Sequence, residues 1–186
     1  EHDGVLKIAT SKGQSWDATS TTQVAVLKES TEGKKLEQIG FLDNLGKPGE
    51  QLFAARFIGN RGYLVTFRKT DPLYVLDFSQ PDQPKAIGEL EIEGYSDYLH
   101  PIGENYLLGI GKDAIADERG EFGGAFYQGL KVSLFDVSSG DDLREVSSVV
   151  IGKRGTESSV LYDHHALAFL ANGDLATILL IGSFAM

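Results

Sequence analysis

The sequence predicts an all-β fold built from a repeated unit, and three observations carry this prediction. Polar and apolar residues alternate over short segments such as Lys131–Phe135 (KVSLF), a period of two that is typical of strands. Turn-forming clusters such as Gly59–Gly62 separate these segments at hairpin spacing. The pair Tyr63–Leu64 recurs 43 residues later as Tyr106–Leu107, close to the roughly 40–45 residues of a propeller blade. We therefore predict a β-propeller fragment of about three four-stranded antiparallel blades, incomplete at both ends.

The chain divides into four successive units. Residues 4–50 are predicted as a partial blade, 51–94 and 95–155 as two complete blades, and 156–186 as a second partial blade. The strands predicted for the two complete blades are Leu52–Ile58, Gly62–Arg68, Leu73–Ser79 and Lys85–Ile92, then Asp97–Ile102, Tyr106–Gly111, Leu130–Ser138 and Arg144–Ile151. Tyr162–Ile181 is predicted to supply the first two strands of the last unit.

The second complete blade is longer than the first and is predicted to carry an inserted loop over residues 112–128. Loops on a rigid scaffold carry function disproportionately, and aromatic residues dominate interface hot spots. Phe122, Phe126 and Tyr127 in this loop are therefore candidate contacts for a partner. The alternative is that these rings fold back over the blade.

The predicted blade edges are open at both ends of the chain. A propeller closes with 4–8 blades, which is more than this sequence supplies. Two interpretations stay open: further chain completes the ring, or two copies associate through the open blade edges as a homo-oligomer.

Composition and charge exclude several classes of partner. The formal net charge is −10, with 17 basic and 27 acidic side chains, so a phosphate-binding surface is not expected and nucleic acid is excluded as a predicted partner. The longest apolar runs are far shorter than a bilayer span, so no membrane span is predicted. The chain contains no cysteine, which rules out disulfides, thiolate metal sites and a cysteine nucleophile.

Several segments of the repeat together resemble a known family. They are Ala55–Phe67 (ARFIGNRGYLVTF), Asp71–Asp77 (DPLYVLD), Gly94–Pro101 (GYSDYLHP) and Gly129–Ser138 (GLKVSLFDVS). Their sequences resemble those of the bacterial and archaeal family of secreted proteins with a β-propeller domain distantly related to WD repeats. The resemblance implies an exported or surface-anchored protein whose propeller exceeds this segment, and it implies no particular biochemical activity.

Three histidines lie at or near the predicted innermost strands, whose side chains would face the central channel. His100 follows Asp97, and the pair His164 and His165 follows Asp163, so each copy places a carboxylate beside an imidazole. These five residues are candidate ligand contacts. The alternative is a structural role in which they form hydrogen bonds between blades, as buried polar groups require.

Other chemical signatures are missing or have a structural explanation. The acidic residues of the inserted loop do not follow the order of an EF-hand loop, and no Gly-x-Ser-x-Gly elbow is present, so we predict no metal, no cofactor and no catalytic residue. Asp77 and Asp136 recur at equivalent positions, where an aspartate accepts hydrogen bonds from the following turn. We predict that both are structural.

Three functions are compatible with these observations. The favoured one is a non-enzymatic binding scaffold of an exported protein, with a protein or polysaccharide ligand. The alternative is a propeller hydrolase or lyase that uses channel His and Asp residues. The third is a purely structural ring that supports another domain.

Overall fold

A computed structural model describes residues 1–13, 19–67, 71–116, 125–172, 175–180, 182–183 and 185 of the chain. The described chain is organised in β-strands with three short 3₁₀ segments. Its strands are β1 Val5–Lys12, β2 Thr21–Glu29, β3 Leu36–Leu45, β4 Gln51–Ile58, β5 Arg61–Phe67, β6 Asp71–Asp77, β7 Lys85–Ile92, β8 Tyr95–Ile102, β9 Tyr106–Ala116, β10 Ala125–Asp136, β11 Arg144–Ile151, β12 Glu157–Ser158, β13 Leu167–Asn172, β14 Leu175–Leu180 and β15 Gly182–Ser183.

Consecutive strands pair in antiparallel order to form separate sheets. The first sheet has the order β1-β2-β3, the second β4-β5-β6-β7, and the third β8-β9-β10-β11. Beyond them, β13 pairs with β14 and β12 pairs with β15. The prediction of an all-β propeller with four-stranded antiparallel blades is confirmed, and β7 and β11 have the predicted bounds.

The core lies between the sheets, which pack face to face. One apolar cluster joins the first and second sheets, a second joins the second and third, and a third joins the third sheet to the chain that follows it. The middle strand β5 is buried along almost its whole length, because a sheet covered on both faces buries side chains of both orientations. This explains why Tyr63–Val65 is a continuous apolar run rather than a strict alternation.

The predicted loop 112–128 is wrong over part of its length. Strand β9 continues to Ala116 and β10 begins at Ala125, and the two pair through Ala125 with Ala116, and Phe126 with Ile115. The small and apolar residues at these ends fit a strand ladder, and a register shift between Tyr127 and Leu130 accommodates the change. Phe122 lies outside the described residues.

The predicted strand beginning at Tyr162 is also wrong in its first part. Two 3₁₀ segments, Ser159–Leu161 and His164–Ala166, precede β13. The physical reason is that the Asp163 side chain accepts a hydrogen bond from the His165 backbone N–H and so caps a turn where the chain would otherwise extend. None of the helical segments in the described ranges has the length and apolar character that a bilayer span requires.

Candidate functional site

The second and third sheets share a backbone irregularity at the start of their first strands. In the second sheet Leu52 and Ala54 pair with consecutive residues of β5, so that Phe53 is the extra residue of a bulge. In the third sheet the same shift occurs between Ser96 and Tyr98, so that Asp97 is the extra residue. Bulges redirect a side chain out of the regular alternation. Phe53 and Asp97 therefore occupy equivalent positions.

The matching positions continue on the neighbouring strand. Phe67 pairs with Gln51, the first residue of β4, and Lys112 pairs with Tyr95, the first residue of β8. Phe67 and Lys112 are therefore equivalent as well. Each lies at the junction with the following sheet.

The first of these junctions, between the second and third sheets, is aromatic. Four rings form it, from Phe53, Phe67, Tyr95 and Tyr127, and we call it the aromatic junction. The ring centroids of Phe53 and Phe67 lie 5.4 Å apart, those of Phe53 and Tyr95 5.1 Å, and those of Tyr95 and Tyr127 5.2 Å. Edge-on and tilted contacts at this distance stabilise beyond simple burial.

The second junction, between the third sheet and the chain that follows it, is charged. It contains Asp97, Lys112, Glu157 and Tyr162, and we call it the charged junction. The buried Lys112 ammonium donates to the Glu157 carboxylate at 2.8 Å and to the Thr156 carbonyl oxygen. The Tyr162 hydroxyl donates to the other Glu157 oxygen at 3.2 Å. Glu157 is the first residue of β12, as Tyr95 is the first residue of β8. Glu157 contacts Lys112, and Tyr95 contacts the equivalent residue Phe67.

The two carboxyls of the charged junction have pKa values displaced in opposite directions. Burial raises the pKa of Asp97 to about 6; the positive charge of Lys112 lowers this pKa, and the negative charge of Glu157 offsets part of that lowering. The hydrogen bond from Lys112 lowers the pKa of Glu157. Burial penalises the charged form of a carboxyl, whereas a donated hydrogen bond from a cation favours it.

A cavity of about 370 Å³ adjoins the charged junction. Its lining residues are Glu157, Ser158, Ser159, Tyr162, Gly182 and Ser183. It is shallow and open to solvent rather than enclosed. Hydroxyl and carboxylate groups line it, so that it offers both hydrogen-bond donors and acceptors.

The hairpin of β9 and β10 carries two of the aromatic residues that are predicted to contact a partner, Phe126 and Tyr127. Phe126 is 49% exposed and lies against Arg154, whose guanidinium carbon is 5.9 Å from the ring centroid. Tyr127, by contrast, packs against Tyr95 as part of the aromatic junction. Tyr127 thus folds back on the blade, as the alternative predicted, although 42% of it stays exposed. Contact of either ring with a partner stays a prediction.

His100 lies in β8 as predicted, but Asp97 is not its partner. Its Nδ1 is 3.2 Å from the Tyr98 hydroxyl, and its ring centroid lies 5.0 Å from that of Phe169 in β13. Burial, together with the nearby Arg56, lowers the pKa of His100. The ring contact with Phe169 joins two sheets, which supports a structural role for His100, whereas the contact with Tyr98 stays within β8 and forms no hydrogen bond between blades. The role of His100 in ligand binding stays a prediction.

His164 and His165 do not lie in an innermost strand. Both are exposed and belong to the 3₁₀ segment directly before β13, so a position within a strand is wrong for them, while a side chain that faces the channel stays a prediction. The carboxylate of Asp163 lies 2.9 Å from Nδ1 of His165, which confirms the predicted neighbourhood of carboxylate and imidazole here. The two imidazole centroids are 3.9 Å apart.

The structural prediction for the recurring aspartates is confirmed. In each complete blade the aspartate accepts a bond from the backbone N–H and another from the hydroxyl of the serine two residues later: Asp77 with Ser79, and Asp136 with Ser138. Asp136 also pairs with Arg144 at 2.7 Å. Both side chains hold the turn between the third and fourth strands.

Sequence reasoning missed Lys112, Glu157 and Tyr95. Lys112 and Glu157 are 45 residues apart, and no local pattern joins them. One signal was available in the sequence: Lys112 directly follows the apolar run Leu107–Gly111, and a lysine that continues a run predicted to be buried needs a partner.

Sheets of this kind, packed face to face in chain order, define a β-propeller protein. The chain belongs to the Beta propeller domain family, whose family model matches residues 1–181. An uncharacterized protein of Methanocaldococcus jannaschii is 40% identical over 146 residues, which are 78% of this chain and 21% of that protein. An uncharacterized protein of Archaeoglobus fulgidus is 39% identical over 166 residues, which are 89% of this chain and 23% of that protein. The chain thus spans less than a quarter of the length of these relatives.

Proposed function

We propose that this propeller segment is a protein-binding scaffold whose contact surface is the hairpin of β9 and β10 together with the aromatic junction. The observation that supports the proposal is the projection of this hairpin. Strand β8 begins opposite Lys112 and β11 ends opposite Leu130. The hairpin residues beyond these two positions therefore pair only with each other among the described strands.

Both faces of the projecting hairpin carry large apolar side chains. Ile115, 60% exposed, lies directly opposite Phe126 on one face. Tyr127, the next residue, points to the other face and joins the aromatic junction, where Phe53 is also partly exposed. An aromatic and an aliphatic side chain side by side, on an element held by a rigid sheet, match the composition of protein interface cores.

A protein partner fits these residues better than a polysaccharide does. Ile115 and Phe126 offer apolar surface without a hydrogen-bonding group, whereas a sugar presents many hydroxyls that need partners. Polysaccharide binding through Tyr127 is the other outcome that the experiment distinguishes.

A photo-crosslinking amino acid at position 126 or 115 of the full-length protein, expressed in its native host, tests the proposal. We expect both positions to capture the same protein. A crosslinker at Leu36, an equally exposed apolar residue of β3 (55%), is the matched control and should not capture it. Identical products from all three positions, or none from the hairpin, contradict a protein interface there. Binding to immobilised polysaccharide that the substitution Tyr127→Ala abolishes would instead assign the surface to a sugar.

A second candidate function is a hydrolase or lyase, and the charged junction is the observation that favours it. Asp97 and Glu157 have pKa values displaced in opposite directions, the arrangement that assigns an acid and a base to two carboxyls. Glu157 also lines the adjoining cavity. Substrate screening of the full-length protein should then find turnover that Asp97→Asn abolishes while the fold is retained. Turnover unchanged by this substitution contradicts the candidate.

The exported or cell-surface location belongs to the same proposal and rests on the family resemblance. Fractionation of native host cells should find the full-length protein outside the cytoplasm or at the surface. Recovery in the cytoplasmic fraction alone contradicts it.

A further inference from the structure

A turn at the surface brings three metal-ligating side chains together. Asp163, His164 and His165 each offer one ligand atom, and these atoms all lie within 4.8 Å of one another. No other group of three His or carboxylate ligands is found in the described part of the chain. The Asp163 carboxylate oxygen lies 2.9 Å from Nδ1 of His165.

We propose that this turn binds a divalent transition-metal ion, with Zn²⁺ as its natural occupant. Two imidazole nitrogens and one carboxylate oxygen suit Zn²⁺ and its first-row neighbours, whereas Ca²⁺ and Mg²⁺ require more oxygen ligands. Ligand atoms of a tetrahedral zinc ion lie about 3.4 Å apart, since each is about 2.1 Å from the metal. This spacing lies between the 2.9 Å of the Asp163–His165 pair and the 4.8 Å that no two of the ligand atoms exceed.

The backbone already holds the three residues in place. The Asp163 side chain caps the 3₁₀ segment by accepting from the His165 N–H at 3.0 Å, and the Ala166 N–H donates to the Asp163 carbonyl at 3.0 Å. The side chains of Asp163 and His165 are 62% and 79% exposed, and the two imidazoles lie against each other rather than in the core. Metal binding therefore requires no repacking of the apolar core.

The position of the turn connects it to the charged junction. Asp163 directly follows Tyr162, whose hydroxyl donates to Glu157 and which lines the cavity beside it. Three protein ligands leave at least one coordination position open for water or for a donor from a ligand, as in zinc sites that act on a bound molecule. The site is independent of the proposed hairpin interface, which does not include these residues.

Isothermal titration calorimetry of the chain with ZnCl₂ tests this inference. We expect one Zn²⁺ per chain at this turn, with no comparable binding of Ca²⁺ or Mg²⁺. Each of the substitutions His164→Ala and His165→Ala should weaken binding at least about tenfold, because loss of a direct ligand exceeds the 10–100-fold effect of an outer-shell partner. Asp163→Asn keeps the oxygen that caps the turn and should weaken binding through loss of charge.

His2→Ala is the matched control. His2 and Asp3 form a pair with 3.4 Å between Nε2 and the carboxylate oxygen, which offers one imidazole and one carboxylate but no third ligand in the described residues. This substitution should leave Zn²⁺ binding unchanged. Zn²⁺ binding that survives in the double variant His164→Ala/His165→Ala, or that His2→Ala reduces equally, overturns the assignment. Co²⁺ should give visible d–d absorption with the wild type that is lost in the folded double variant, and its persistence there overturns it too.

Discussion

The aromatic junction and the charged junction are built on the same backbone but hold their sheets together by different chemistry. At the bulge the first carries Phe53 and the second Asp97; opposite, the first carries Phe67 and the second Lys112. The residue that the next strand contributes is Tyr95 in one case and Glu157 in the other. The equivalent positions of successive blades thus hold either packed aromatic rings or an ion pair.

This difference teaches that the repeat conserves geometry rather than residue type. Packed rings stabilise at every pH, because their association depends on burial and ring contact. A buried ion pair stabilises the fold only while both partners are charged and paired with each other. We expect the aromatic junction to carry the larger share of stability and the charged junction to make it depend on pH.

The substitution Phe67→Ala should have the largest effect. Phe67 is nearly fully buried and its ring contacts Phe53, Tyr95 and Tyr127, so its loss leaves a cavity and should lower the free energy of unfolding by about 3–5 kcal/mol. Urea denaturation followed by circular dichroism measures it. Phe126→Ala, on the exposed hairpin, is the control and should change the free energy by no more than about 0.5 kcal/mol. Equal losses in both variants contradict the distinction between packed and projecting rings.

Asp97→Asn should raise stability at pH 8 by roughly 1–2 kcal/mol. The pKa of Asp97 in the folded chain, about 6, exceeds its ordinary 3.8, so the folded state favours the protonated carboxyl. Wild-type stability should therefore fall as pH rises from about 4 to about 6 and stay lower above that range. Asparagine removes this fall. The exposed Asp82→Asn, measured in the same pH series, should keep the fall in stability that the wild type shows. An Asp97→Asn variant whose stability equals that of the wild type at every pH contradicts the burial of Asp97.

Glu157→Gln should lower the free energy of unfolding at pH 7 by roughly 1 kcal/mol, since Lys112 is buried but Glu157 is half exposed to solvent. The pKa of Glu157 is lowered in the folded chain, so its contribution is present above the ordinary pKa of 4.5 and is lost as pH falls through the lowered value. The free energies of unfolding of the wild type and of Glu157→Gln should therefore become equal at acidic pH. A difference that stays constant down to pH 2 would mean that the ion pair is not its source.

Ser79→Ala and Ser138→Ala should have the smallest effects, and nearly equal ones. Each removes one hydroxyl that donates to the turn aspartate while the backbone N–H bond remains. We expect about 0.5–1 kcal/mol for each. Thermal denaturation of the two variants side by side checks it. Unequal losses would show that the two blades differ at this turn as well as at their junctions.

Much of the fold could be predicted from local patterns. Alternation and turn residues located the strands, and Asp77 and Asp136 marked the same turn in two blades because the bonds that they form are local. The hairpin extension was missed because Ala114 and Ala116 give little apolar signal.

The candidate site was harder to predict. The position of Asp97 depends on a bulge, which shifts it out of the alternation that a strand of regular register implies, and Lys112 meets Glu157 only through the packing of successive sheets. Asp163 could have been recognised, since aspartate is a common residue at the start of a helical turn.

An NMR titration of the Asp97 carboxyl carbon in the chain tests most directly the claim that a charged junction replaces an aromatic one. We predict an apparent pKa of about 6, and a lower value in Glu157→Gln, because Glu157 contributes to the rise. An Asp97 that titrates near its ordinary 3.8, unchanged by Glu157→Gln, would contradict its burial beside Lys112 and Glu157.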